Sequence, residues 1–292
     1  MAQTPGRKLP SLRRMRPHER SVTLATMATH AIRRSWLALV LATATVAQDA
    51  APPVDPGLPD QLKQLRAFVT DTKMLSDMQA VGLMRKLATD LDGRNPKDKE
   101  RIAKAFGDVF RAGKLRTGPN EALYRETADE LAKFGDLGAP EIQKALADAR
   151  WKNNRPLLSH MILALGRTKD AKQVDWLLDT TTRSPIDELR AAAGEALGNY
   201  NELDLRARRD VVKAIVREWG SLHARATTPD PTDPNVPIDP NPRNARETLR
   251  AVEGKWSNTL TKLTGVSHSG FVEWQRWLNK NPGWTPPGTR KP

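Results

Sequence analysis

Arg206, Arg209, Lys213 and Arg217 recur at intervals of three and four residues, which places four cations on one stripe of a helix. Such a ridge can hold phosphates or another polyanion, because each phosphate neutralised releases condensed counterions. Asp210 and Glu218 interrupt the stripe, and a solvated helix face is the plainer reading of it. Other constellations are weaker still. His160, His223 and His268 stand far apart, none at a metal-ligand spacing such as H-E-x-x-H. His160, inside a helix, reads as a packing residue. Gly265-Val266-Ser267-His268-Ser269-Gly270 has serine at 269, where a nucleophile elbow needs glycine, and the segment before it reads as helix instead of strand. There is no Gly-rich phosphate loop, and there is no cysteine, which removes disulfides, thiolate metal sites, a cysteine nucleophile and a lipidated N-terminal cysteine. The expectation is a binding protein with no catalytic residue, metal ligand or cofactor site.

The elements that position this stripe are helices. Of the 292 residues 38% are apolar, the mean hydropathy is -0.59, and alternating strand patterns are nearly absent. Ala, Leu, Arg, Lys, Glu and Asp dominate the middle of the chain, most of them good helix formers, so the fold class is all-α. The net charge of +13 suggests nucleic acid until its distribution is read. Residues 1–47 carry eight of the 47 basic side chains and one of the 34 acidic ones, leaving +6 for the rest. That remainder is an ordinary solubility device.

Arg33-Arg34 precedes an apolar run, Trp36 to Ala47, that ends Ala44-Thr45-Val46-Ala47 before Gln48-Asp49. A basic region, a short apolar core and small residues at the exit are the parts of a secretory signal peptide. Twelve residues fall short of the ~20 that span a bilayer. Met27 would give this leader an ordinary length. Arg33-Arg34-Ser35-Trp36-Leu37 also resembles a twin-arginine signal, although Ile32 stands where Ser or Thr is commoner. With no cofactor motif in the chain, the general secretory route is preferred. We expect export to the periplasm or beyond, cleavage near Ala47 and no stable membrane span afterwards.

Internal periodicity organises the middle of the chain. A large apolar residue followed by glycine recurs at Phe134-Gly135, Leu165-Gly166 and Leu197-Gly198, at spacings of 31 and 32. Seven residues before each glycine stands a small residue: Ala128, Ser159 and Ala191. Leu146 and Leu177 follow the first two glycines by eleven, while Asn201–Asp204 delays the third set to Val212, Ile215 and Val216. The expected unit is a helix closed by a left-handed glycine, a tight turn and a second helix. Pro140, Pro156 and Pro185 fall near helix starts, where a missing N–H is harmless. One such pair cannot bury its apolar face, so the units must stack.

In these units, Leu123–Leu146, Leu157–Leu178 and Ile186–Val216, the chain resembles the HEAT-repeat family, most clearly in Leu189-Arg190-Ala191-Ala192-Ala193-Gly194-Glu195-Ala196-Leu197-Gly198. The resemblance covers about half the chain and implies an α-solenoid. Upstream helices, about 73–90 and 97–112, form a divergent pair. The final segment has Leu260-Thr261-Lys262-Leu263-Thr264-Gly265 before Phe271, Trp274, Trp277 and Leu278. It resembles the closing segment of exported bacterial HEAT-repeat proteins. Phe271, Trp274 and Leu278 share one helix face and are expected to cover Val212, Ile215, Val216 and Trp219, with Trp277 half covered at the edge. A tryptophan-lined ligand site is the alternative.

The resulting division is an N-terminal extension and signal peptide (1–47), a Pro-rich spacer (48–59), a HEAT-like helical-repeat solenoid (60–226), a Pro/Asp-rich loop (227–243) and a C-terminal Trp-containing helical cap (244–292). The loop holds six prolines between Pro229 and Pro242 and reads as a stiff linker. Its aspartates Asp230, Asp233 and Asp239 lack the glycine turn of the familiar calcium loops. The functional expectation is an exported scaffold that binds another protein. The alternative is a basic repeat binding nucleic acid or another acidic polymer through Arg206, Arg209, Lys213 and Arg217. Steep salt dependence would mark the second.

Overall fold

The computed structural model describes residues 52–228 and 239–287, within the compact unit Asp49–Pro292, and every regular element among the described residues is helical. The α-helices are α1 (Leu58–Thr70), α2 (Asp77–Leu87), α3 (Pro96–Val109), α4 (Ala122–Ala132), α5 (Ala139–Leu146), α6 (Arg155–Arg167), α7 (Val174–Arg183), α8 (Asp187–Leu197), α9 (Leu205–Ala226), α10 (Asn241–Thr264) and α11 (Phe271–Lys280). Local chemistry sets many of the starts. Pro59, Pro96, Pro140, Pro156 and Pro242 occupy first-turn positions, where no intrahelical N–H is needed. Asn95, Asn154 and Asp204 accept first-turn backbone N–H groups as side-chain caps.

Packing follows a simple rule: a helix lies against the one two places along the chain. In the even-numbered row α2 packs on α4, α4 on α6, α6 on α8 and α8 on α10. In the odd-numbered row α1 packs on α3, α3 on α5, α7 on α9 and α9 on α11. Neighbours such as α7 and α8, or α9 and α10, join the two rows. The loosely packed exception is α5 and α7, where a cleft opens. Leu165 and Leu197, which the repeat register makes equivalent, are both fully buried in α6 and α8. Leu177 is fully buried and Leu146 half-buried.

The glycines act differently from the expectation. Gly135 takes the left-handed conformation at φ 56°. Gly166 instead lies inside α6, where a β-carbon would fall 2.6 Å from the Ala196 β-carbon of α8. Gly198 ends α8 at φ -65°, and a β-carbon there would stand 3.1 Å from the Thr259 hydroxyl of α10. Two of the three repeat glycines thus permit close approach of even-row helices. Gly107, within α3, does the same in the odd row, where a β-carbon would run into Glu141 of α5.

Two boundaries also shift. Helix α1 begins at Leu58, inside the expected spacer, because Leu58 is fully buried. The spacer is tied to the start of α3: Asn95 Nδ2 donates to the Pro52 carbonyl at 2.6 Å, and Asp55 N donates to Asp98 Oδ2 at 2.8 Å. Helix α10 begins at Asn241, inside the expected loop, with Pro242 buried in its first turn. The leader, Asp230 and Asp233 lie outside the described residues.

Candidate interaction surface

Helix α9 buries Val212, Ile215, Val216 and Trp219 and turns its basic stripe outward. Arg206, Lys213 and Arg217 are exposed, as the periodicity implies. Arg209 is withdrawn from the set. Its Nε donates to the Trp284 carbonyl at 2.9 Å, and its Nη2 donates to the Gly283 and Trp284 carbonyls at 2.7 and 2.6 Å. Those carbonyls lie past the end of α11, and the guanidinium fork clamps the tail to α9. The expected four-cation ridge is therefore three exposed cations and one internal clamp.

Arg217 lines a groove of about 580 Å³ between α7 and α9. The facing wall carries Asp175 and Asp179, and Glu218 stands beside Arg217. Glu218 is held by Arg190 at 2.8 Å and Arg225 at 3.5 Å. Both signs of charge thus meet in the groove. On the other side of α7 lies the cleft left by the α5–α7 exception, about 370 Å³. Leu158 and Ile162 of α6 and Leu189 of α8 line it, with Leu146 and Trp176 at its sides. Trp176 keeps 36% of its surface exposed. Asp179 and Arg183, joined by a 2.8 Å ion pair, border both depressions. A further groove of about 540 Å³ lies between α1 and α3. All three depressions follow the odd-numbered row.

Scans of family models, curated proteins and solved structures find no match to this chain.

The surface therefore has to be read from its own chemistry. An exposed tryptophan beside an arginine over an apolar floor is the composition of protein-binding hot spots. Polyanion grooves, by contrast, avoid carboxylates, and the α7–α9 groove has three.

The histidines are engaged in separate places. His160 Nε2 lies 2.9 Å from Asp129 Oδ1, and Arg167 contacts the same carboxylate, so α6 clasps α4. Burial pushes Asp129 upward, but His160 and Arg167 outweigh it and hold the carboxyl below its ordinary value. The His223 ring packs 5.3 Å from Phe271, and the His268 ring meets the Trp274 ring edge-on at 4.8 Å. Ser267 is exposed between α10 and α11, after a helix.

At the C-terminal end Trp274 is fully buried, while Phe271, Trp277 and Leu278 are half-buried. Phe271 reaches Trp219 with ring centroids 6.3 Å apart and fits over Gly220. Burial of Trp274 in the resting protein fits a cap and leaves its own ring no face for a ligand. Two features escape sequence reading. Trp176 sits beside Leu177 and Leu178, so its outward position is hidden in a wide apolar arc. Arg116 lies in a loop, where periodicity gives no signal. Its buried guanidinium donates to both Asp77 oxygens at 2.7 and 2.8 Å, and to the Val69 carbonyl at 2.8 Å.

Proposed function

We propose that this chain is an exported HEAT-like helical-repeat protein that binds another protein and acts as a scaffold. The observation that carries the reading is the pair of adjoining depressions flanking α7, with exposed Trp176 over an apolar floor and the Asp179–Arg183 pair between them. Apolar area, a rigid aromatic anchor and paired charges at the rim suit a folded or extended polypeptide. The two-places-along packing of both helix rows supports the solenoid assignment, since repeat units stack on their nearest neighbours. The signal-like organisation of Arg33–Ala47 supports export. The polyanion reading is weaker, because Arg209 is committed to the tail and Asp175, Asp179 and Glu218 would repel phosphates along Arg217.

Affinity capture from the envelope fraction of the native host tests both parts. N-terminal sequencing of the captured chain should begin near Gln48; an intact Met1 or Met27 terminus on soluble cytoplasmic protein would reject export. Co-captured protein should be lost with Trp176→Glu/Asp179→Lys and retained with Arg206→Glu/Lys213→Glu, which lie outside the two depressions. The reverse pattern, with binding that collapses between low and moderate salt, would reject the scaffold in favour of the polyanion reading.

A further inference from the structure

The two most exposed large apolar side chains lie far from α7 in sequence. Leu75 is 75% exposed and Met78 76%, at the turn into α2, and Leu115 is 41% exposed in the loop before α4. The two segments are fastened together. Arg116 bridges from its loop to Asp77 and to the Val69 carbonyl at the end of α1, and Asn120 Nδ2 approaches Met74 Sδ at 3.6 Å.

The turn that presents Leu75 is built. The Asp71 carboxylate accepts the backbone N–H groups of Lys73 and Leu75 at 3.0 Å and of Ser76 at 3.2 Å, and also the Ser76 hydroxyl. Met74 holds φ 57°, a conformation non-glycine residues seldom adopt. A chain that only needed to connect α1 to α2 has no reason to fix a leucine in water this firmly. The charges differ in engagement. Asp71 spends its oxygens on backbone donors of its own turn and Asp77 pairs with buried Arg116, so both carboxylates are bonded within the protein. Lys73 and Lys114, one beside each apolar segment, are exposed to solvent.

Apolar tips rimmed by lysines, with the neighbouring acids already bonded to Arg116 or to the turn backbone, match a bilayer surface that carries anionic headgroups over hydrocarbon. We propose that Leu75, Met78 and Leu115 form a membrane-docking tip that inserts shallowly into an anionic lipid surface, with Lys73 and Lys114 at headgroup level. No helix among the described residues is long and apolar enough to cross a membrane, and the docking is peripheral. It stands independently of any partner held along α7.

The chain has no cysteine, so one fluorophore can be placed at will. An environment-sensitive nitrobenzoxadiazole label on Leu75→Cys, and separately on Leu115→Cys, should shift to the blue with phosphatidylglycerol vesicles. It should not shift with phosphatidylcholine vesicles, and a label on Arg183→Cys should stay unchanged with either. Lys73→Glu/Lys114→Glu, confined to exposed side chains, should weaken vesicle binding by about tenfold or more, and added salt should act in the same direction. Vesicle binding without a shift at 75 or 115 would place attachment elsewhere and overturn the proposal. A shift that grows with protein concentration in the absence of lipid would assign the tip to a second copy and overturn it equally.

Discussion

Trp274 contributes as a side chain that closes an end. It is fully buried, its ring meets Trp277 and His268 edge-on, and its Nε1 donates to Ser257 Oγ at 3.3 Å. Removing it takes away a large apolar surface and leaves a cavity that rigid helices cannot close. Trp274→Ala should therefore destabilise the protein by about 3–5 kcal/mol in urea unfolding. A variant as stable as the parent would mean that α11 is no cap. The type and face of this residue were legible from the i, i+3, i+7 spacing of Phe271, Trp274 and Leu278. Arg209 was legible only as a cation. Its partners are main-chain carbonyls of the tail, 74 and 75 residues away, and no local pattern encodes them.

At the scale of the element, the glycines separate two physical roles that one letter conceals. Leu-Gly at the end of a repeat helix suggests a left-handed cap, yet Gly166 is a contact between helices and Gly198 keeps a right-handed φ. Spacing located the glycines correctly; it could not say whether backbone conformation or a neighbouring helix demanded them. Paired substitutions make the distinction measurable. A β-carbon at Gly82 of α2 would meet nothing within 4 Å, so Gly82→Ala should stabilise by about 0.5–1 kcal/mol through helix propensity alone. Gly166→Ala gains the same propensity but pushes α6 off Ala196 of α8, and should lose about 1–3 kcal/mol net. Stabilisation by both in chemical denaturation would contradict the close packing of the even row. Most helices were legible in order, but α1 was not, and helix starts were less so, because the burial of Leu58 and Pro242 depends on partners outside their own segments.

At the scale of the molecule, the two rows of helices divide the work. The even row packs through glycine and alanine, whereas the odd row leaves depressions between its members, and those beside α7 combine apolar floor, exposed tryptophan and paired charge. Composition alone points at nucleic acid; placement redirects the reading, because Arg217 of α9 shares its groove with three carboxylates. The all-helical class was legible in composition and periodicity. The α5–α7 cleft was not, since it arises where the row packs most loosely. The most direct test of the scaffold is a footprint in the native host, with a photo-crosslinking side chain placed in turn at Trp176 on α7, Arg217 on α9 and Glu253 on the even-row helix α10. A scaffold that binds along α7 gives a discrete protein adduct at 176 and 217 and none at 253; adducts at 253 with none at 176 would contradict it.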